Sequence, residues 1–164
     1  MGDSSGSAER DEHFLRLSFE VAKRARGHGN HPFGAVLVDR NGNVMLESEN
    51  AYMPTGDGTA HAERLLATDS CLMLAPDVRM HATLYSSAEP CAMCAGAIYW
   101  AGIGRVVYGL SEARLRAVTG NHPENPTLDL PCRKVFESGQ RATEVVGPLL
   151  EYEAEVLHQG AWNT

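Results

Sequence analysis

The 164-residue sequence predicts an α/β fold, in which helices cover both faces of a mixed β-sheet. An Asn-Gly pair at residues 41–42 separates two apolar runs, which is the strongest short-range signal for an antiparallel hairpin. Downstream of it, short strand patterns alternate with helical patterns. The composition, 43% hydrophobic and 21% charged, is that of a globular domain, and no apolar run approaches the roughly 18 residues of a membrane span.

The first predicted element is a helix over residues 11–26, where apolar side chains recur at helical spacing before two glycines. We expect residues 1–10, which are small and polar, to form a disordered tail, and residues 11–164 to form a single domain. The tail lacks the basic start and apolar run of a secretory signal. With four cysteines and no such signal, we expect a reducing, cytoplasmic location.

The hairpin is predicted to contain strands near residues 35–39 and 43–47. A helix follows over residues 60–74, with Thr59 as its cap. The other predicted elements are a strand over 81–87, a helix over 91–102 that Pro90 starts, a strand over 105–110, a helix over 111–118, a strand over 143–147 and a helix over 148–159 that Pro148 starts.

Histidine and cysteine residues at the starts of two predicted helices indicate a metal site. Cys91 and Cys94 are three residues apart, so both sulfurs project from one helix face and can share an ion. The positive end of that helix favours the thiolate form, which binds zinc. With His61 as the third ligand, one tetrahedral position is left for water, as in catalytic rather than structural zinc sites.

Glu63, two residues beyond His61, is the predicted catalytic residue. Zinc lowers the pKa of a bound water toward about 7, and a carboxylate beside it can take that proton and pass it on. Hydrolysis of an amidine-like C–NH₂ bond needs both functions, because water attacks the ring carbon while Glu63 protonates the ring nitrogen and ammonia leaves. We therefore predict a hydrolytic deaminase with one Zn²⁺ per subunit.

His61-Ala62-Glu63 followed by Pro90-Cys91-Ala92-Met93-Cys94 is the H-x-E…P-C-x-x-C signature of zinc deaminases. With the segments PFGAVLV, TAHAE and LYSSAEPCAMCAGAIYWAGIGRVVYG, it makes the chain resemble the cytidine deaminase-like superfamily over about residues 11–146. This resemblance implies a three-layer α/β/α fold around a central five-stranded mixed sheet.

Three segments are most similar to bacterial guanine deaminases and related nucleoside deaminases: residues 32–34, 59–63 and 97–101. The segments EPCAMCAGA and GRVV are also similar to tRNA adenosine deaminases. The resemblance implies a purine-like substrate and a homodimer, and we expect Tyr99 and Trp100 at the subunit interface.

The same resemblance implies residues that contact the substrate. Asn50 would donate its amide to the base, although a turn residue ending a strand is the alternative. Phe33 would stack on or border the ring, or belong to the core. The backbone of Ala62 would border the pocket, and Glu89 would bond an exocyclic group or cap the following helix.

Two further substrate contacts are implied near the C-terminus. Asp129 is the counterpart of an acid that guanine deaminases use near the substrate, and Trp162 would cover the site in cis or from a partner subunit. Three histidines in Gly- and Pro-rich loops are interpreted as surface residues rather than ligands: His28, His31 and His122.

Several functions remain open on the sequence alone. The first is deamination of a free purine base or nucleoside, with cytosine or cytidine as a variant. The second is tRNA adenosine deamination, which the net charge of −7 and an acidic last helix without Lys or Arg disfavour. A non-catalytic zinc scaffold is the third, and Glu63 argues against it. A lone CxxC is also typical of redox pairs and structural zinc sites.

Overall fold

The computed structural model describes residues 4–162, and a five-stranded mixed sheet forms its centre. The strands are β1 (Gly34–Val38), β2 (Val44–Glu49), β3 (Thr83–Ala88), β4 (Arg105–Leu110) and β5 (Glu144–Val146). They are ordered β2-β1-β3-β4-β5. β1 pairs antiparallel with β2 and β3, whereas β3, β4 and β5 are parallel.

Seven helices accompany the sheet in the described residues. They are α1 (Ser4–Gly27), α2 (Ala62–Met73), α3 (Pro76–Met80), α4 (Ala92–Ala101), α5 (Glu112–Thr119), α6 (Cys132–Glu137) and α7 (Glu151–Val156). Helices α2, α4 and α6 pack on one face of the sheet, and α1, α5 and α7 pack on the other. The predicted three-layer α/β/α architecture is confirmed.

Both faces of the sheet are apolar because its strands carry apolar residues at successive positions, and successive side chains of a strand point to opposite sides. Leu37 and Leu84 pack in the core beneath α2 and α4, while their neighbours Val36 and Tyr85 pack beneath α1. All four side chains are buried. Strands that are covered on both faces show continuous apolar runs, which is the pattern of β1.

Helix α1 begins at Ser4, so the prediction of a disordered tail is wrong for residues 4–10. Arg10 explains part of this order, because its Nη2 donates to the carbonyl of Asp39 at 2.9 Å and its guanidinium lies over the ring of Phe14. These contacts attach the first turns of α1 to the hairpin. Residues 1–3 lie outside the described part of the chain.

A buried ion pair attaches α1 to the sheet. The Nη1 and Nη2 atoms of Arg105 donate to the carboxylate of Asp11, at 2.7 Å each. The hydroxyl of Tyr85 donates to the same carboxylate at 2.9 Å. Asp11 is almost completely buried. Residues from α1, β3 and β4 thus share one polar network beneath the helix.

Three predicted helix starts are displaced in the structure. His61 is the N-cap of α2, and Thr59 bonds Asp57 instead of capping the helix. Cys91, rather than Pro90, caps α4. The last helix begins at Glu151 instead of residue 148, after a residue in the left-handed region.

The short helices α3 and α6 are not predicted by the sequence analysis, because five or six residues are too few to establish a helical period. Within residues 4–162, none of the helices combines the length and apolar character that crossing a membrane requires.

Candidate active site

The predicted site residues gather at one edge of the sheet. Because β1 runs antiparallel to both neighbours, its start lies beside the ends of β2 and β3, and the end of β4 follows. Phe33 therefore precedes β1, Asn50 follows β2, Glu89 follows β3 and Glu112 begins the helix after β4. Loops that leave a common sheet edge are a frequent location for ligand sites in α/β proteins.

The three predicted metal ligands converge at this edge. The Nδ1 atom of His61 lies 3.6 Å from the Sγ atoms of both Cys91 and Cys94. Tetrahedral zinc, with Zn–N near 2.05 Å and Zn–S near 2.3 Å, requires N···S separations of about 3.6 Å. The donor set and its spacing therefore fit a zinc ion. Together the three residues form a possible metal site in the described structure.

The N-termini of two helices bring these ligands together. His61 caps α2 and Cys91 caps α4, and the two helices pack side by side. The hydrogen bond with Cys94, followed by the one with His61, lowers the pKa of the Cys91 thiol to about 4, and the hydrogen bond with Cys91 raises the pKa of the Cys94 thiol. The site thus favours a thiolate, the form that ligates zinc.

Glu63 lies in the first turn of α2, beside the ligand cluster, and is 5% exposed. Burial raises the pKa of its carboxyl group, and a hydrogen bond of 2.6 Å from Ser86 Oγ to Oε1 partly opposes that shift. A raised pKa is typical of carboxyl groups that exchange protons near neutral pH. Ser86 also fixes the orientation of this carboxyl group.

A cavity of about 510 Å³ opens above this cluster. His61, Glu63 and Cys91 lie in its wall, together with Phe33 and Asn50. Its volume falls within the range of small-molecule sites. The ligand cluster is therefore accessible to a small substrate.

Residues 8–110 match the family model described as the cytidine and deoxycytidylate deaminase zinc-binding region. The chain belongs to this deaminase family. Members are hydrolases that act on C–N bonds of nucleobases or nucleosides, and the matched region is zinc-binding, in agreement with the donor set above. The predicted enzyme class and cofactor are confirmed.

Three similar proteins illustrate the range of substrates in the family. A probable cytosine deaminase of Schizosaccharomyces pombe is 41% identical over 160 residues, which are 98% of this chain and 97% of that protein. A tRNA-specific adenosine deaminase of Haemophilus influenzae is 38% identical over 111 residues, 68% of this chain and 64% of that one. A solved guanine deaminase from Nitrosomonas europaea shares the fold, with a TM-score of 0.72 at 22% identity, over 90% of this chain and 81% of that one.

Asn50 and Phe33 line the cavity wall of the deaminase, and their contact with a substrate stays a prediction. Asn50 is buried, and its Oδ1 accepts a hydrogen bond from the backbone N–H of Tyr52 at 3.1 Å. In the described residues its Nδ2 has no protein acceptor, and its predicted contact with a base stays a prediction. The turn role and the ligand role of Asn50 are therefore compatible.

Trp162 lines the cavity of its own chain, and its role in covering a bound substrate stays a prediction. Its indole stacks on His31, with ring centroids 3.9 Å apart, and its Nε1 donates to His158 Nδ1 at 2.9 Å. Phe33 and His122 meet the indole edge-on. The C-terminal segment thus forms part of the cavity wall.

The three loop histidines differ from one another in the structure. His28 is exposed and pairs with Glu49, as expected for a surface residue. His31 keeps 25% of its side chain exposed and does not belong to the possible metal site, but it lines the cavity. The sequence does not predict this position, because Trp162, its stacking partner, is 131 positions away along the chain.

Glu89 lines the cavity, but its carboxylate has structural partners. Oε1 accepts from the backbone N–H of Glu112 at 3.0 Å and Oε2 accepts from that of Cys132 at 2.8 Å. Glu89 therefore bonds the first turns of α5 and α6. The alternative prediction, that Glu89 caps the following helix α4, is wrong. This buried carboxylate fixes two helix starts at the edge of the site.

Two other predicted contacts lie elsewhere. Asp129 is highly exposed, pairs with Arg116 at 3.3 Å and does not line the cavity, so its prediction as a substrate contact is wrong. The loop before α6 directs it to α5 and solvent. Ala62 is fully buried between His61 and Glu63, and the role of its backbone in bordering the pocket stays a prediction.

Glu112 is a cavity residue that the sequence analysis does not predict. It is 9% exposed, and burial followed by the negative charges of Cys91 and Glu89 raises its pKa to about 7. In the sequence, an acid at the start of a helix has the ordinary interpretation of a favourable dipole contact. Only the convergence of β3 and β4 places it beside the metal site.

Proposed function

We propose that this deaminase hydrolyses the C–NH₂ bond of a free nucleobase or nucleoside, with a guanine-type purine as the first candidate. The observation that carries the proposal is the tetrahedral spacing of His61, Cys91 and Cys94 beside Glu63, at the wall of an open cavity. A structural zinc site is closed by a fourth protein ligand. In the described residues, no fourth Cys, His, Asp or Glu joins this cluster.

The chemistry follows from how the side chains are placed. A zinc ion held by the three ligands would supply an activated water at neutral pH. Glu63 would take one proton as water attacks the ring carbon and deliver it to the ring nitrogen. It would then take a second proton from the new hydroxyl group on that carbon and deliver it to the amine, which leaves as ammonia while the carbonyl forms. Ser86 holds Oε1 of Glu63, so the carboxyl group exchanges protons without reorienting.

The cavity wall favours a substrate without phosphate. Among the described residues, no Lys or Arg lines it. Five side chains with carboxyl groups do: Asp57, Glu63, Glu89, Glu112 and Glu124. RNA and nucleotides gain much of their affinity from cationic side chains. This charge distribution supports a free base or nucleoside and argues against a tRNA loop.

Asn50, Phe33 and Trp162 would hold the base. The Nδ2 amide of Asn50 suits a ring carbonyl or ring nitrogen, and the two aromatic side chains provide apolar surface for a planar heterocycle. Guanine ranks first because residues 32–34, 59–63 and 97–101 are most similar to guanine deaminases. Cytosine is the second candidate, since the S. pombe relative aligns over nearly the whole chain.

Ammonia release tests the proposal. The purified protein is incubated separately with guanine, guanosine, adenine, cytosine and cytidine, and the zinc content is measured in the same preparation. We expect turnover of guanine and none of adenine, with Glu63→Gln as the inactive control. Turnover of cytosine alone would replace the first candidate with the second, and turnover of none of the five would contradict the proposed function.

We also propose that the deaminase is a homodimer. Large apolar side chains are exposed on the surface formed by α2, α3 and α4: Leu72, Met73, Met80 and Trp100. Trp100 is 78% exposed, which is unusual for an indole in a monomer. Analytical ultracentrifugation is expected to show a dimer for the wild type and a monomer for Trp100→Glu, and a monomeric wild type would contradict this assignment.

We propose a cytoplasmic location on the basis of cysteine chemistry. All four cysteines are free, and the zinc site needs two of them as thiolates. A reducing compartment keeps such thiols available for metal binding.

A further inference from the structure

Glu112 is a buried carboxylate whose own partners are missing. Its side chain lines the cavity and is 9% exposed, yet in residues 4–162 no hydrogen bond or ion pair involves its carboxylate oxygens. Its backbone N–H donates to Glu89 Oε1 at 3.0 Å, so the backbone is fixed independently of the side chain. The backbone of Glu112 is thus held in place, whereas its carboxylate is bonded to nothing in the described part of the molecule.

The other carboxylates of the cavity differ from Glu112 in this respect. Glu63 accepts from Ser86, Asp57 from Thr59, Glu124 contacts His31, and Glu89 accepts from two backbone N–H groups. Burial of an ionised group without a partner costs free energy. Among these five side chains, Glu112 alone has carboxylate oxygens without a protein partner in the described residues, and they are accessible from the cavity, where a ligand can pair with them.

The stability of α5 does not explain this arrangement. Glu89 satisfies the first N–H of the helix, and Ser111 Oγ accepts from the N–H of Arg114 at 3.2 Å. A favourable contact with the helix dipole is available to an exposed acid as well. The capping of α5 thus requires no carboxylate directed into the cavity.

The position of Glu112 relative to Asn50 indicates what its partner would be. The two residues follow β4 and β2, which are three strand spacings apart, roughly 14 Å along the sheet edge. A base bound between them meets an amide donor on one side and a carboxylate acceptor on the other. A heterocycle that carries a carbonyl or ring nitrogen and also an N–H group complements this pair.

We propose that Glu112 is a specificity-determining residue that accepts a hydrogen bond from an N–H group of the bound base. The inference rests on the proposed function, since it requires that the cavity binds a base. Replacing that N–H with N–CH₃ leaves a buried acceptor unpaired, which is how polar sites reject close analogues. The enzyme is therefore selective for bases that present a donor toward α5.

The test combines variants of Glu112 with methylated ligands. The base that the wild type deaminates best is compared with its singly N-methylated derivatives on the wild type, Glu112→Gln and Glu112→Ala. For Glu112→Ala we expect KM for the parent base to rise roughly ten- to hundredfold with kcat nearly unchanged, since an N–H group of the bound base is left without its acceptor. Glu112→Gln retains an acceptor oxygen, and a smaller rise is expected.

One methylated derivative is expected to be rejected by the wild type at least tenfold, and Glu112→Ala is expected to abolish that preference. Dissociation constants measured on a Glu63→Gln background provide a readout of binding that does not depend on turnover. Asp129→Asn is the matched control, because it removes a nearby negative charge that lies outside the cavity. Zinc content and melting temperature of each variant verify that it is folded and loaded.

An active wild type whose KM and methyl preference are unchanged in Glu112→Ala would overturn the inference and leave the proposed function intact. Failure of the wild type on every base would instead overturn the proposed function, and the inference with it. An effect of Glu112→Ala on nucleosides but not on free bases would also overturn it, because the partner would then be a sugar hydroxyl.

Discussion

Two buried glutamates, Glu63 and Glu112, face the same cavity, and their surroundings differ. Glu63 is held by Ser86 beside the ligand cluster, whereas the carboxylate of Glu112 has no protein partner in the described residues. Burial raises the pKa of both groups. In the function proposed above, the hydrogen bond from Ser86 suits Glu63 to carry protons, and the unpaired oxygens of Glu112 suit it to accept a hydrogen bond from the base.

Glu63→Gln is expected to lower kcat by roughly 10² to 10⁴, because positioned acid–base groups contribute about that factor. The amide keeps the shape and can still accept from Ser86, so one zinc per chain is expected to remain. Steady-state kinetics and metal analysis on the same sample measure both quantities. Loss of zinc with normal turnover per bound ion would show that Glu63 is a ligand and not the proton carrier.

At the scale of elements, the site depends on how helices begin at one edge of the sheet. His61 and Cys91 are N-caps, and Glu89 bonds the first turns of α5 and α6. Each functional side chain is thus within a few residues of a strand end.

Glu89→Gln is expected to lower the free energy of unfolding by about 1.5–3 kcal/mol, because an amide can accept only one of the two backbone N–H bonds and presents a donor to the other. Urea denaturation measures the change. Glu153→Gln is the matched control, since it removes a carboxylate from an exposed ion pair with Arg16, where little change is expected. Equal effects of the two substitutions would contradict this role of Glu89.

The C-terminal segment is expected to lose stability in acid. Burial, followed by the positive charges of His31 and Arg26, lowers the pKa of His158 to about 4, compared with about 6.5 in an unfolded chain. The folded state therefore favours the neutral ring, whose Nδ1 accepts from Trp162. This contribution is complete above pH 6.5 and is lost as the pH falls toward 4, on the order of 3 kcal/mol in total.

Comparison of wild type with His158→Gln isolates this contribution, because the other titrating groups are common to both proteins. The stability advantage of the wild type is expected to shrink between pH 7 and pH 4, as measured by urea denaturation at each pH. A difference that does not vary with pH would show that His158 titrates normally.

At the scale of the whole molecule, the metal would connect α2 and α4 across the sheet edge. Only the folded chain brings His61 within 3.6 Å of both sulfurs, so zinc stabilises the folded state by mass action. Free zinc at 100 times its Kd corresponds to about 2.7 kcal/mol. The same convergence that forms the active site thus contributes to the stability of the fold.

Removal of zinc by a chelator is expected to lower the melting temperature by several degrees and to abolish turnover, and added zinc is expected to restore both. Cys94→Ser is the control, because its melting temperature should no longer respond to zinc. A wild type whose melting temperature is insensitive to chelation, despite measured loss of zinc, would contradict this linkage.

The sequence by itself determined the order of the five strands along the chain, the helices α2 and α4, and the ligands His61, Cys91 and Cys94 with Glu63 beside them. These features depend on local spacing: the period of apolar residues, an Asn-Gly turn, and ligands three residues apart on a helix. Such patterns need no knowledge of distant parts of the chain.

Only the tertiary structure decided which other side chains face the cavity. It excluded Asp129, assigned Glu89 to two helix starts, and added Glu112 and His31, which the sequence did not place at the cavity. These side chains come from loops and helix ends that have no periodicity, and their positions follow from the pairing of strands far apart in sequence. The zinc ligands could therefore be predicted from the sequence, whereas the residues available for substrate recognition depend on how the sheet brings the ends of its strands together.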